Sequence, residues 1–136
     1  MNVQINKSIL AVVFCWGLSL SALTQAGTYS GGGGTEANPY QISAVNDWME
    51  LIGTSADWKK HFILTADLDF GGVAITPVAR DTNPSSSGFQ GTAFTGVFDG
   101  GGHVLRNFVI NRPARDYVGL FGQVGSGGQV RNLGVE

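Results

Sequence analysis

Apolar and polar positions change their period along the chain. Ser8–Leu23 (SILAVVFCWGLSLSAL) is an uninterrupted apolar run, with Lys7 just before it and Thr24-Gln25-Ala26 just after it. Beyond the glycine run Gly31–Gly34, Asn38-Pro39-Tyr40-Gln41-Ile42 reads as extended, because proline pushes the preceding residue toward the β region. Val45, Trp48, Met49 and Ile52 then recur at i, i+3, i+4 and i+7, one face of a helix, with Ser43 as its expected N-cap and Gly53 as its stop. So short a helix holds only when that stripe lies on something else. From Phe62 the period is two. Phe62–Ala66, Asp67–Phe70 and Val73–Thr76 read as short strands broken by Gly71-Gly72, and Arg80–Gly88 (RDTNPSSSG) reads as a polar surface loop.

Internal similarity sets the expected architecture. Leu105-Arg106-Asn107-Phe108-Val109-Ile110 matches Val130-Arg131-Asn132-Leu133-Gly134-Val135 position for position, and Gly96-Val97-Phe98 matches Gly119-Leu120-Phe121. A unit of about 23–25 residues therefore occurs twice, with a two-residue length change in the intervening turn, within the range of known repeat architectures. One turn of such a chain cannot bury its own apolar side chains, whereas stacked coils can. That reading places Leu105 over Val130, Phe108 over Leu133 and Ile110 over Val135, with Arg106 and Arg131 pointing outward. Asn107 and Asn132 fall at corners, where asparagine tolerates left-handed backbone and its amides can ladder. A β-sandwich or barrel with coincidental similarity is the alternative.

Tyr117-Val118-Gly119-Leu120-Phe121-Gly122 followed by Gly128-Gln129-Val130-Arg131-Asn132-Leu133 resembles the GLUG motif of bacterial secreted and surface proteins, including the non-catalytic part of IgA-specific metallopeptidases. Phe98-Asp99-Gly100-Gly101-Gly102-His103-Val104-Leu105 resembles the D-G-x-G-H rung of right-handed parallel β-helix proteins, many of them pectin-degrading. Gly101 stands where Asn is more usual. Residues 39–42, the helix and Phe62–Asp69 look like the cap that opens such rungs. The resemblance implies an all-β fold: right-handed parallel β-helix (solenoid) rungs with a short N-terminal capping helix.

Composition narrows the class. The 136 residues include 21 Gly and one Cys, carry 13% charged residues and have a net charge of -2, which leaves no basic field for nucleic acid. The apolar run reads as a secretory signal over residues 1–26, cut after Ala26; it is short of the ~20 residues that span a bilayer, so the mature chain is expected to have no membrane span. A glycine-rich linker over 27–38 and a capped domain over 39–136 follow. Cys15 lies inside the leader, so the mature protein has neither a disulfide nor a cysteine zinc site.

The chemistry is sparse. His61 and His103 are far apart in sequence and neither is followed by Glu, so the H-E-x-x-H zinc pattern is missing. Asp67 and Asp69 alternate and share one face of a strand, where they could form a calcium or carboxylate pair. Asp99 joins them as a candidate; a corner role for Asp67 and an Asx turn for Asp99 are the plainer alternatives. Arg106 and Arg131, with Arg112 and Arg115 near the next turn, form the one local basic cluster and a candidate contact for an acidic glycan or surface. Gly96, Gly119, Phe98 and Phe121, with Asn107 and Asn132, are assigned to the structural repeat, and Phe98, Phe121 and Tyr117 are read as core before sugar contact.

No charged run, proline or helix follows Val135, so further rungs or a partner are expected over the C-terminal edge. Two functions follow. The first is a secreted or cell-surface structural and interaction module, for adhesion or carbohydrate contact, with no catalytic residues and no cofactor beyond calcium. The second is a fragment of a β-helix polysaccharide lyase or glycoside hydrolase.

Overall fold

The computed structural model describes residues 26–113 and 115–136; the apolar leader and Cys15 lie outside them. Strand β1 (Tyr40–Ile42) leads into helix α1 (Val45–Gly53) and a 3-10 turn, Ser55–Asp57. Strands β2 (His61–Leu64), β3 (Leu68–Asp69), β4 (Val97–Asp99), β5 (Val104–Arg106), β6 (Gln129–Arg131) and β7 (Gly134–Val135) follow. One sheet has the order β1-β2-β4-β6 and the other β3-β5-β7. Every pairing is parallel: Tyr40 with Phe62, Phe62 with Phe98, Phe98 with Val130, Leu68 with Leu105, and Leu105 with Val135.

Strand alternation decides what is buried. Ile42, Phe62, Leu64 and Phe98 point inward from the first sheet and Leu68 and Leu105 from the second, all at 2% exposure or less. Between them Phe94, Phe98 and Phe121 meet edge to face, with Phe98 and Phe121 centroids 5.8 Å apart. Burying one such phenylalanine contributes about 2–3 kcal/mol.

Helix α1 supplies the central side chain of this core. Trp48 is fully buried, and its ring lies 5.4 Å from Phe98, 6.1 Å from Phe121 and 6.4 Å from Phe70. The face predicted by spacing is rotated in the structure. Leu51 is fully buried while Met49 is 41% exposed, because the helix inserts on Trp48 and its neighbour one turn on. The N-cap is Ala44, not Ser43. Its missing side-chain oxygen is compensated by Asp47, whose carboxylate reaches back to accept from the Ala44 and Ser43 N–H groups at 3.0 and 2.8 Å and from the Ser30 hydroxyl at 2.6 Å. Burial opposes ionisation of Asp47, and these hydrogen bonds outweigh it and hold the carboxyl below its usual range. At the other end the Trp58 indole donates to the Leu51 carbonyl at 2.7 Å, tying the 3-10 turn to the helix.

The segment expected as a free linker lies on the body. Gly31 bridges Gln41 antiparallel, and the buried Gly34 accepts from the His61 N–H at 3.1 Å.

The expectation of an all-β, right-handed parallel β-helix is corrected. The described residues form two small parallel sheets of strands two to four residues long, with one nine-residue helix inserted into their common core. Val73–Thr76 forms no strand, only a bridge between Ala74 and Val109. The expected vertical register fails as well: Val130 lies beside Phe98, not Leu105, and Val135 lies beside Leu105, not Ile110. Stacked strands are separated by unequal lengths of chain, as from Tyr40 to Phe62 and from Phe62 to Phe98, so no fixed interval generates the structure.

Candidate functional site

The matched hexapeptides owe their similarity to a device used twice. Asp69-Phe70-Gly71-Gly72 and Asp99-Gly100-Gly101-Gly102 each form a tight turn in which the Asp Oδ1 accepts from the glycine N–H two residues on, at 2.9 Å in both. The last two glycines of each turn have positive φ, 58° and 86° in the first and 59° and 78° in the second, a region that costs glycine little. A later pass of the chain sets an Arg-Asn pair on each turn. Asn107 donates its amide to Asp69 Oδ1 at 2.9 Å, and Asn132 donates to Asp99 Oδ1 at 3.1 Å. The Gly72 and Gly102 N–H groups donate to the carbonyls of Asn107 and Asn132 at 2.6 and 2.9 Å. A Cβ on Gly100 would run into the Asn132 carbonyl.

Asn107 and Asn132 have φ of 57° and 53°, so each sits in the left-handed conformation expected for it. Each amide is spent on an aspartate rather than on the other asparagine. One clamp joins the C-terminal ends of β3 and β5 in the three-stranded sheet, and the other joins those of β4 and β6 in the four-stranded sheet. Leu105–Ile110 and Val130–Val135 look alike in that each carries the Arg-Asn half of a clamp, and they meet where Leu105 pairs with Val135, out of the register that the match implies.

Arginines complete the clamps unequally. Arg131 Nε donates to Asp99 Oδ2 at 2.9 Å, whereas Arg106 Nε stands 4.0 Å from Asp69 Oδ2, with NH2 3.6 Å from Asp67 Oδ2. The two arginines belong to different sheets and are not stacked. Arg112 and Arg115 lie in the loop between β5 and β6. Gly96 packs on the Lys60 carbonyl and Gly119 lies in the β5–β6 loop, so these two are not structural equivalents; Phe121 bridges Val78.

Asp67 and Asp69 do approach one common group, but that group is the Arg106 guanidinium. Asp67 Oδ1 also accepts from the Val104 N–H at 3.1 Å and lies 3.0 Å from His103 Nδ1. The Val104 N–H, then His103, hold the Asp67 carboxyl below its ordinary range. The Asn107 amide and the Gly71 N–H do the same for Asp69, and the Gly101 N–H and the Asn132 amide for Asp99. Among the described residues, no group of three or more His, Cys, Asp or Glu side chains is arranged to hold a metal ion.

The outward positions of β2, β4 and β6 line a shallow groove of about 440 Å³, with His61, Asp99, Gln129 and Arg131 exposing polar atoms and Glu36 on its rim. The strand period puts these residues outside while Phe62 and Phe98 go inside. The Asp99–Arg131 pair that lines it is internally neutral, and Glu36 adds a carboxylate. Of the residues read as ligand contacts, Arg131 lies in this groove and Arg106 does not. Sequence reasoning missed Gln129 and Glu36 here, and missed the Asp–Asn partnership, although the twice-used D-x-G-G string carried the signal for the latter.

No helix among the described residues is long and apolar enough to cross a membrane. No protein-family model matches the chain, and no solved structure matches it. It is similar to two much longer proteins. It is 32% identical over 111 residues to a halomucin of Haloquadratum walsbyi, a match covering 75% of this chain and 1% of that protein. It is 34% identical over 110 residues to a protein of Evansella cellulosilytica named as a Gly-rich membrane protein, covering 77% of this chain and 12% of that one.

Proposed function

We propose that the chain is a non-catalytic structural and interaction module of a secreted or cell-surface protein, whose outer groove contacts uncharged, hydroxyl-rich glycan. One observation carries this reading: the carboxylates of Asp67, Asp69 and Asp99 are engaged in joining successive passes of the chain. General acid–base work needs a carboxyl poised to take and return a proton near the working pH, and these three are shifted downward, away from it. The similarity to a halomucin and to a membrane protein supports a surface address, and the GLUG resemblance points the same way.

The ligand class follows from charge. Arg131 and Arg106 are neutralised by the aspartates they touch, which disfavours an acidic glycan. Gln129 and the Asp99–Arg131 pair offer donors and acceptors without net charge, the chemistry that sugar hydroxyls match. The outermost strands β6 and β7 leave Val130 and Val135 37% and 55% exposed, and a further strand of the same assembly would add there.

The test is expression of the full chain in a bacterial secretion host, followed by cell fractionation and binding to a neutral-glycan array. The expected result is protein outside the cytoplasm, with array binding weakened by Gln129→Ala while the melting temperature holds. Release of reducing ends or unsaturated products from any polysaccharide, abolished by Asp67→Ala or Asp69→Ala, would overturn the non-catalytic reading.

A further inference from the structure

We propose that cleavage between Ala26 and Gly27 creates a lock: the new α-ammonium group of Gly27 docks on the buried carboxylate of Asp57 and fastens the mature N-terminus to the body. The inference rests on the export reading above and adds a site to it.

Asp57 is 2% exposed, on the 3-10 turn between α1 and β2. Its Oδ2 accepts from the Gly27 N–H at 2.7 Å and from the Tyr29 phenol at 3.1 Å. Among the described residues, the ion pairs join Asp67, Asp69 and Asp99 to His103, Arg106 and Arg131, and Asp57 takes part in none. A carboxylate this deep without a cation is costly. The same corner holds a second acid, since Glu50 Oε1 accepts from the Thr28 N–H at 3.4 Å. The Gly27 nitrogen thus lies where a positive charge would be best placed, yet in the uncut chain it is a neutral amide with a single proton to give.

Cleavage changes that atom. A leader endopeptidase adds water across the Ala26–Gly27 amide. The carboxylate stays on Ala26 of the released segment, and the amine on Gly27 takes up a proton. One neutral donor becomes a cation with three, at a site already within hydrogen-bond distance of its counter-ion. Position 27 is also crowded by side chains: a Cβ there would stand 2.7 Å from the Tyr29 ring and 2.9 Å from Glu50 Cγ. Further along, Ser30 donates to Asp47 and Gly31 bridges Gln41, so the strap is tied down beyond the lock.

The ionisable groups facing the Gly27 nitrogen are Asp57 from the 3-10 turn, Glu50 from α1 and Tyr29 from the strap, with Tyr40 of β1 against the Tyr29 ring at 4.6 Å. Burial and then Asp57 push the Tyr29 phenol far above its ordinary value, so it stays a donor throughout the alkaline range used below. A paired amine titrates above its unfolded value of about 7.7–8.0. Its contribution to stability is complete below that value and is lost as pH rises through the folded one.

The experiment exports the full chain and sequences the N-terminus of the recovered protein. Gly27 is expected first. Its α-amine should react with 2-pyridinecarboxaldehyde about tenfold more slowly in the folded protein than in urea, the factor for a one-unit rise. The melting midpoint should fall with rising alkaline pH, and Asp57→Asn should remove that slope. Equal reaction rates in folded and unfolded protein, with Gly27 first, overturn the lock and leave the export reading standing. A first residue other than Gly27 in exported protein also overturns the lock. Retention of the uncut chain in the cytoplasm overturns both.

Discussion

Asp99 accepts from the Gly101 N–H, the Asn132 amide and the Arg131 guanidinium, so one side chain joins a turn to the strand laid over it. Asp99→Ala removes all three acceptor contacts and should cost about 1–2 kcal/mol in urea unfolding, since hydrogen bonds to a charged group sit at the upper end of the usual range. Asn132 separates two effects. Asn132→Gly and Asn132→Ala both lose the amide, but only alanine resists a φ of 53°, so the alanine variant should be less stable by a further ~1 kcal/mol. Equal stability of the two variants would show that the left-handed corner carries no strain.

Asp47, Asp67, Asp69 and Asp99 all titrate below their ordinary values in the folded protein. Each therefore binds fewer protons folded than unfolded. Their stabilisation is complete above an unfolded value of about 3.9 and is lost as pH falls through it toward the folded values. Melting temperature should hold near neutrality and drop below about pH 4, with Asp99→Asn shallower than wild type. The left-handed asparagines were legible at this scale, because few residue types tolerate that backbone. Their partners were not: a hydrogen bond closing over 38 or 33 residues leaves no local trace.

Helix α1 shows what periodicity could and could not give. Its place, its length and the burial of Trp48 follow from the stripe and the glycine stop. The choice between Met49 and Leu51 does not, because both fit an apolar face and the core decides which one turns inward. Leu51→Ala should destabilise by about 2–5 kcal/mol, the range for a large-to-small change in a sealed core. Met49→Ala should stay within about 0.5 kcal/mol, as surface changes do. Paired urea titrations check both. The capping error has a similar origin. Ser43 has the preferred chemistry, but its hydroxyl bonds Ser30, and Asp47 satisfies the helix start from inside. The strands were legible as short period-two segments and their partners were not. Leu105–Ile110 and Val130–Val135 share a chemical task on two different sheets, and that shared task says nothing of the register in which Leu105 meets Val135.

At the scale of the molecule, two parallel sheets and one helix among the described residues enclose a common aromatic core, and the clamps fix which pass of chain lies on which. Parallel pairing was expected from the internal repeat, and outward polar side chains from strand alternation. Unequal lengths between stacked strands were not, because loops such as Arg80–Gly88 can lengthen freely without disturbing the strands they join. The arrangement leaves a polar groove on one face, a strap over Asp57 and two exposed strand edges.

The claim on which all of this depends is the pairing of the sheets, and inter-strand backbone NOEs of the isotopically labelled protein report it directly. Parallel pairing of β4 with β6 and of β5 with β7 predicts cross-peaks joining Phe98 to Val130 and Leu105 to Val135 in parallel-strand pattern. Cross-peaks joining Leu105 to Val130 in that pattern, or an antiparallel pattern at either pair, would contradict it.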